Sequence, residues 1–298
     1  MSKKSNFNDD FEFSPSLFIQ SAWDKSQLFG MNAARDIRHF VLRGTGGCGL
    51  MKPEDATGLR NLEFALSGRD LSDGKQRHQR FSGLGLFGGT RMIRRDNPKV
   101  IVPGITEVFP AIEPWCPNSV LCGVIAKTSH LKISPHGLVM QNNPAEDYVT
   151  IIHPNQTSCV LLQPSADTTA TWDDEFKECV RIVDSLRDAH WKSLLVAYNG
   201  GGVTEKEIRT WAKLGKQNAF WQVLIVNGSG RKSDELANDK EFLAEHPTVH
   251  VCENDVEDMR AKLTDLGALV PGEAVEFEQE QDTAQDASGG QEVRIRPN

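Results

Sequence analysis

Two glycine-rich segments in the carboxy-terminal half have the composition of anion-binding turns. Each follows an apolar run and precedes a helical pattern: residues 199–202 read Asn-Gly-Gly-Gly, and residues 227–230 read Asn-Gly-Ser-Gly. Backbone N–H groups at the start of a helix bind phosphate because they have no intrahelical partner and the helix dipole favours an anion. If the preceding strands are parallel, both turns face one crevice at one edge of the sheet. The sequence therefore predicts a phosphate- or nucleotide-binding crevice.

Two further glycine-rich segments follow apolar runs in the amino-terminal half. Residues 39–43 lead into Gly44, Thr45, Gly46 and Gly47, and the segment 83–92 contains Gly88, Gly89, Thr90 and Arg91. Glycine also makes ordinary tight turns at positive φ, so a single such segment would be weak support for a site. Several of them at the ends of different strands favour a ligand crevice over turns alone.

Two arginines lie within two residues after these glycines. Arg231 follows Gly230 and could pair bidentately with an anionic ligand. A cation in the first turn of a helix is mildly disfavoured by the helix dipole, so the position favours a liganded role over a solvated one. Arg91 stands in the same relation to Gly89. Both arginines are therefore candidate ligand-binding residues.

Thr204 and Glu207 have the spacing of a capping box after the first glycine-rich turn. In that motif the hydroxyl accepts from a backbone N–H and the carboxylate reaches back to another, which needs no ligand. The same Glu207 could instead face the crevice and bind the ligand. The two roles can coexist, and the spacing leaves both open.

The elements that must position these residues alternate between strand and helix in the carboxy-terminal half. Thr171 and Asp174 begin a helix that ends near residue 189, strand 193–198 follows, and a helix runs from Thr204 to Gly215 as its stop. Strand 221–227, a helix through Leu236 and Leu243, strand 248–253 and a helix before Gly267 complete the series. This alternation predicts an α/β fold with a Rossmann-like parallel sheet flanked by helices.

The first half of the sequence is less regular than the second. Its short strands and frequent prolines favour β-rich hairpin insertions over extra βαβ units. We expect an apolar amino-terminal extension at 1–35 that packs on the domain or on another subunit, and a Rossmann-like domain at 36–269. Residues 103–158 are expected to form an irregular insertion or lid, and residues 270–298 a disordered acidic tail.

Composition excludes several classes of protein. The chain has 298 residues and a formal net charge of −8, much of it in the tail, so nucleic acid is an unexpected partner. Its apolar runs fall far short of the roughly 20 residues of a membrane span, and no secretion signal is visible. Six scattered cysteines without a C-x-x-C pair predict a reducing cytoplasm, and no metal-binding motif occurs. A cytoplasmic protein without a required cofactor or metal is expected.

Three of these motifs together resemble the SLOG superfamily of Rossmann-like domains. They are Gly88-Gly89-Thr90, the segment from Gly200 to Glu207, and the segment from Val226 to Ala237, of which the last is the most specific. The chain is most similar to the branch found in melastatin-type transient receptor potential channels and in free-standing prokaryotic proteins. The resemblance spans roughly residues 40–266.

The resemblance implies a domain that binds a nucleotide or a nucleotide-derived molecule, such as ADP-ribose or a cyclic nucleotide, and regulates an effector. By analogy, the partners would be further copies of the chain and a membrane pore or another effector protein, without insertion of this chain into the membrane. A ligand-free structural or interaction subunit is the remaining non-enzymatic reading.

A more distant resemblance points to an enzyme. Gly200, Gly201, Thr204 and Glu207 match the motif of the "lonely guy" phosphoribohydrolases, which are related to lysine-decarboxylase-like proteins and cleave the base from a nucleoside monophosphate. Asn199 and Val203 depart from that motif, and the Arg-Lys pair expected on the preceding helix is absent. These departures favour binding over hydrolysis, with Glu207 as the catalytic candidate if the chain is an enzyme.

Each predicted ligand-binding residue has an expected role. Backbone N–H groups of the glycines and Ser229 would hold phosphate, Asn199 or Glu207 would accept from ribose hydroxyls, and Arg231 would neutralise charge. The full set is Gly44, Thr45, Gly46, Gly47, Gly88, Gly89, Thr90, Arg91, Asn199, Gly200, Gly201, Gly202, Thr204, Glu207, Asn227, Gly228, Ser229, Gly230 and Arg231.

Overall fold

The computed structural model describes residues 17–20, 38–47, 53–94, 96–97, 99–126, 131–134, 137–140, 148–153, 155–162, 171–187 and 190–270. Its strands are β1 (Leu17–Gln20), β2 (Phe40–Gly46), β3 (Arg80–Phe81), β4 (Gly83–Phe87), β5 (Thr90–Arg94), β6 (Ser119–Ala126), β7 (Leu131–Ser134), β8 (Gly137–Met140), β9 (Tyr148–Ile152), β10 (Ser158–Leu162), β11 (Lys192–Tyr198), β12 (Trp221–Asn227), β13 (Val249–Glu253) and β14 (Leu269–Val270). Its helices are α1 (Pro53–Ser67), α2 (Ile105–Ile112), α3 (Trp172–Leu186), α4 (Gly202–Gln217), α5 (Arg231–Ala237), α6 (Lys240–Glu245) and α7 (Val256–Asp265), with a 3-10 turn at Glu113–Trp115.

An eight-stranded parallel sheet forms the centre of the molecule, in the order β1-β10-β6-β4-β2-β11-β12-β13. Its inner strands are almost continuously apolar and buried, as expected for parallel strands covered on both faces. The α/β class with a Rossmann-like parallel sheet flanked by helices is therefore confirmed.

Helices cover both faces of the sheet and enclose two apolar cores. One core joins α1, α2 and α7 to strand residues such as Leu42 and Leu224. The other joins α3, α4, α5 and α6 to strand residues such as Val41 and Val223. Because side chains alternate along a strand, neighbouring residues of β2 point to opposite cores. This alternation directs Arg43 towards the same face as Val41, the face that α3 and α4 cover.

Helix boundaries agree with the sequence patterns at some points and differ at others. Thr171 and Asp174 do form a capping box at the start of α3, with the Thr171 N–H donating to Asp174 Oδ2 at 2.9 Å. In contrast, α4 starts at Gly202 with Gly201 as its N-cap, so Thr204 and Glu207 do not form the capping box that their spacing left open as one of two roles. Gly215 does not stop α4, which continues to Gln217.

The segment between residues 217 and 267 contains one helix more than the pattern predicted. The helix expected through Leu236 and Leu243 is divided into α5 and α6, and Asp239 between them accepts a hydrogen bond from the Phe242 N–H at 2.9 Å. The last helix, α7, ends before Gly267 as predicted, and Asp255 caps it.

Residues 103–158 do not form one insertion. Within them, α2 packs beneath the central sheet and β6 is one of its inner strands, paired with β4 and β10. The irregular part is a four-stranded antiparallel sheet in the order β5-β9-β8-β7, whose first strand precedes residue 103. The antiparallel sheet is the β-rich insertion that the first half of the sequence indicated.

The chain ends are described only in part. From the predicted extension at 1–35 the structure describes β1, which pairs in parallel with β10 at the edge of the central sheet. The predicted disorder of the acidic tail concerns residues 271–298, which lie outside the described residues. In the part of the chain that is described, no helix is both long and apolar enough to cross a membrane.

Candidate functional site

A cavity of about 310 Å³ lies at the carboxyl ends of the central strands. The chain adds strands to one side of β2 as far as β10 and then crosses to β11 on the other side, so β2 and β11 form the point where the strand order reverses. Ligand crevices of open α/β sheets occur at this place. Eleven predicted residues line the cavity: Gly44, Thr45, Gly46, Gly47, Gly88, Thr90, Gly201, Gly202, Thr204, Glu207 and Arg231.

One end of the cavity is suited to an anion. The first turn of the 16-residue helix α4 lines the cavity through Gly202, Val203 and Thr204, and no side chain caps its N-terminus. Its first backbone N–H groups therefore have no intrahelical acceptor, and the helix dipole adds a positive potential there. The sequence predicted phosphate contacts for Gly201 and Gly202, and both residues line this end of the cavity.

Arg231 lies beside this helix start. A Cβ on Gly201 would lie 2.7 Å from Arg231 Nη2, and a Cβ on Gly47 would lie 3.0 Å from Nη1. The absence of side chains at these two glycines is what lets the guanidinium group approach both turns. The Arg231 side chain is exposed, and among the described residues it forms no ion pair. It therefore remains able to bind an anion.

The inner part of the cavity is lined by a buried charge cluster of Arg43, Glu175 and Glu207. Arg43 Nη2 donates to Glu175 Oε1 at 3.0 Å and lies 3.5 Å from Glu207 Oε1. The three side chains are only 4 to 5 % exposed. Two carboxylates thus share one guanidinium group at the floor of the cavity.

Three different elements bring this cluster together. Arg43 comes from β2, Glu175 from the first turn of α3, and Glu207 from α4. Sequence reasoning named Glu207 but missed the other two as site residues. A signal for Glu175 was present, because it lies four residues before Cys179 on the apolar face of its helix. An acid on such a face is buried and needs a partner.

The cluster contains polar atoms without hydrogen-bond partners. Within the described residues, Arg43 Nε and Nη1, Glu175 Oε2 and Glu207 Oε2 are buried and make no hydrogen bond. Buried polar groups in native proteins are almost always paired, because an unpaired one costs about 1 to 3 kcal/mol. Two donors and two acceptors thus lie without partners in side chains that line the cavity.

The pKa values in the cluster depend on burial and on the presence of two carboxylates beside one guanidinium group. Burial raises the pKa of Glu175 to about 7, with Arg43 opposing this rise and Glu207 adding to it. Burial opposes the charge of Arg43, but Cys179 and the two carboxylates raise its pKa above the ordinary value. With both carboxylates ionised the cluster carries one net negative charge, which disfavours a phosphate at this end.

The mouth of the cavity is largely apolar. Trp172 and Val203 are 58 and 47 % exposed, and Met92 and Val102 continue the lining inwards. Trp172 lies three residues before Glu175 on α3, about one helical turn away. Exposed aromatic side chains at a cavity mouth are suited to stacking on a planar ligand group.

Asn199 and Ser229 lie outside the cavity and hold the two carboxy-terminal turns together. The Asn199 N–H donates to Ser229 Oγ at 2.8 Å, and Asn199 Nδ2 donates to the Ser229 carbonyl oxygen at 2.7 Å. Ser233 Oγ in turn donates to the Asn199 carbonyl oxygen at 2.7 Å. The predicted ribose contact at Asn199 and phosphate contact at Ser229 are therefore replaced by a structural role.

The other glycines of these turns are also outside the lining. Gly200 has a φ of 88°, and a Cβ there would overlap Thr204, so glycine makes this turn possible. Gly228 and Gly230 also have positive φ, and Gly230 precedes α5. Asn227 Nδ2 donates to both carboxylate oxygens of Glu253 at 3.1 Å. These residues shape the turns rather than face the cavity.

Arg91 and Gly89 do not line the cavity either. Strand β5 directs Thr90 into the cavity and Arg91 to the opposite side, where Arg91 Nη2 donates to Glu107 Oε2 at 2.7 Å. Arg91 Nη2 also lies 2.7 Å from His153 Nε2. Gly89 packs closely on Gly123 of β6. The ligand-binding role predicted for Arg91 is therefore replaced by this ion-paired group.

Together the fold and the site define the class of protein: a Rossmann-like α/β protein with a cavity at the carboxyl edge of its parallel sheet. Residues 123–284, more than half of the chain, match the family described as SLOG in TRPM, prokaryote. The chain belongs to this family.

Comparison with solved structures gives a distant likeness. The molybdenum cofactor binding protein from the phototrophic bacterium Rippkaea orientalis matches with 13% sequence identity and a TM-score of 0.43, over 78% of this chain and 99% of that one. None of the curated proteins compared with the chain matches it.

Proposed function

We propose that the chain binds a nucleotide or nucleotide-derived molecule in the cavity and that occupancy regulates a partner protein. The observation that carries this proposal is the chemistry of the two ends of one cavity. The uncapped start of α4 and Arg231, which has no ion-pair partner among the described residues, suit a phosphate. The buried charge cluster suits a neutral polar group. A phosphorylated sugar carries both a phosphate and neutral polar hydroxyl groups.

The size of the cavity limits how much of a ligand is enclosed. A volume of about 310 Å³ is at the lower end of the range of small-molecule sites, roughly 300 to 1,000 Å³. The enclosed part of the ligand is therefore of mononucleotide size. A longer ligand such as ADP-ribose would extend past Trp172 and Val203 at the mouth.

The antiparallel sheet supplies a route from the ligand to a partner. Thr90 and Met92 of β5 and Thr150 of β9 line the cavity together with residues of the central sheet. A ligand that contacts both sheets stabilises one arrangement of them over others. We propose that a partner effector binds the arrangement that the ligand favours.

Calorimetry with the full chain tests the binding function. Nucleoside monophosphates, cyclic nucleotides, ADP-ribose and NAD are the probes, and at least one is expected to give saturable heat and a raised melting temperature. Arg231→Ala should weaken that binding about 10-fold or more, because a charge-assisted contact to phosphate is lost. Arg94→Ala, at an exposed arginine paired with Asp96, is the matched control and should bind as the parent does.

The opposite results would count against the proposal. If no probe binds, the chain is better explained as a ligand-free interaction subunit. If Arg231→Ala and Arg94→Ala bind equally well, the phosphate does not lie at the start of α4.

A second candidate function is hydrolysis of a nucleoside monophosphate to its base and sugar phosphate. The observation that favours it is a pair of buried carboxylates at the cavity floor, one of which, Glu175, has its pKa raised to about 7 by burial. A carboxyl group that titrates near neutral pH is suited to general acid–base catalysis. Chromatographic detection of free base, abolished by Glu207→Gln, would establish this activity over simple binding.

A further inference from the structure

The hydrogen-bond donors and acceptors of the buried charge cluster restrict which ligand groups can bind at the cavity floor. Glu175 Oε2 and Glu207 Oε2 are acceptors when ionised, whereas Arg43 Nε and Nη1 are donors, and none of these four atoms has a partner among the described residues. A phosphate only accepts and meets a net negative charge here. An ammonium group only donates and would leave Arg43 unpaired. Hydroxyl groups do both.

The spacing of the two ends indicates which hydroxyl groups these are. Glu207 lies five residues after Gly202 on α4, which is about 7.5 Å along the helix axis. A group bound at Glu207 is thus separated from a phosphate at the helix start by a few covalent bonds. In a ribose 5′-phosphate unit, the 2′ and 3′ hydroxyls stand in this relation to the phosphate.

Among the described residues, the rest of the lining contains no side chain that would distinguish one base from another. A base that follows the sugar towards the mouth meets Trp172, Val203, Met92 and Val102, which offer apolar surface. The lining also contains the polar side chains of Thr90, Thr106 and Thr150. A threonine hydroxyl both donates and accepts, so it adapts to the edge of any base.

We propose that the buried charge cluster selects a ribose that carries both its 2′ and 3′ hydroxyls, and that the site binds ribonucleotides more tightly than deoxyribonucleotides while distinguishing little between bases. This inference rests on the proposed function, since it assigns the specificity of the same cavity. Glu175, Glu207 and Arg43 would contact the two hydroxyls, and Trp172 would stack on the base.

Isothermal titration of the full chain separates the sugar from the base. The probes are AMP, CMP, GMP and UMP, the 2′-deoxy and 3′-deoxy forms of AMP, ribose 5-phosphate and inorganic phosphate. Each deoxy form should bind roughly 10- to 100-fold more weakly than AMP, because buried charged atoms stay unpaired in its complex. The four ribonucleotides should differ by about 3-fold or less.

Substitution of the carboxylates tests whether they cause the preference for the ribonucleotide over its deoxy forms. Glu207→Gln should reduce the ratio of AMP to 2′- or 3′-deoxy-AMP affinity towards one while inorganic phosphate binds as before. Glu175→Gln provides a second test if the first variant does not fold. Glu245→Gln, at an exposed glutamate paired with Lys216, is the matched control and should keep the parental ratio.

Three outcomes would overturn the inference. Equal affinity for ribo and deoxy forms, or a preference among bases larger than that among sugars, rejects the sugar assignment and leaves nucleotide binding in place. An unchanged ratio in both folded glutamine variants rejects the cluster as its cause. If no probe binds, inorganic phosphate included, the proposed function fails together with this inference.

Discussion

Two groups of charged side chains in this protein differ in how far their hydrogen bonds are satisfied. In one, Arg91 donates to both oxygens of Glu107, at 3.0 and 2.7 Å, and Glu107 also contacts His153. In the buried charge cluster, Arg43 makes one hydrogen bond to Glu175 and a longer one to Glu207. The first group uses its hydrogen-bonding atoms within the chain, whereas the second keeps four buried polar atoms without a partner among the described residues.

The two groups also shift carboxylate pKa values in opposite directions. Although burial opposes it, hydrogen bonds from His153 and Arg91 hold the pKa of Glu107 below its ordinary value. Burial instead raises the pKa of Glu175, and Arg43, which is shared with Glu207, does not offset this rise. Charge compensation therefore distinguishes the two groups, and we propose that the incompletely compensated one serves ligand binding.

The largest expected effect comes from removing each arginine. Arg43→Met leaves two carboxylates uncompensated in the interior and should lower the free energy of unfolding by about 3 to 5 kcal/mol at pH 7.5. Arg91→Met leaves Glu107, which is 19 % exposed, with His153 alone, and about 1 to 3 kcal/mol should be lost. Urea denaturation measures both. Equal losses would show that the two groups do not differ as described.

A smaller effect, of opposite sign in the two groups, is expected from neutralising one carboxylate. The raised pKa of Glu175 means that the folded state binds its proton more tightly than the unfolded state does, so its contribution is present below pH 4.5 and lost as the pH rises through about 7. Glu175→Gln should therefore be more stable than the parent at pH 8, by on the order of 1 to 3 kcal/mol, and equal to it near pH 4.

Glu107 gives the opposite pH dependence. Its lowered pKa means that its ionised form contributes stability above pH 4.5, which is lost as the pH falls through the folded-state pKa. Glu107→Gln should consequently be less stable than the parent at pH 8. Urea denaturation at pH 4, 6 and 8 measures both variants, and a loss of stability in Glu175→Gln at pH 8 would contradict the comparison.

The smallest expected effect is on ligand affinity, and it separates binding from stability. Arg91→Met should bind nucleotide within about twofold of the parent, although its stability is lower, because Arg91 lies outside the cavity. Glu175→Gln should bind about 10-fold more weakly, although its stability is not lower. Titration of folded protein at pH 8 tests this pair. Weakened binding in Arg91→Met would place Arg91 in the site after all.

The sequence predicted the fold and one wall of the cavity because both depend on local patterns. Apolar runs alternating with amphipathic segments predict β11, α4, β12 and the elements that follow. The glycines predicted at strand ends include Gly46, Gly47, Gly201 and Gly202, which line the cavity. Local patterns failed where long-range contacts dominate: the segment 103–158 looked irregular, yet it supplies β6, an inner strand whose neighbours β4 and β10 are distant in sequence.

What the sequence by itself determined is the backbone part of the site, since a glycine-rich turn before a helix start exposes N–H groups whatever surrounds it. Only the tertiary structure decided which side chains complete it. Arg91 and Arg231 both follow glycines, but Glu107 pairs with the first, and no carboxylate of the described residues pairs with the second. Arg43, Glu175 and Glu207 lie far apart in the sequence, and their shared charge arises only where β2, α3 and α4 pack together.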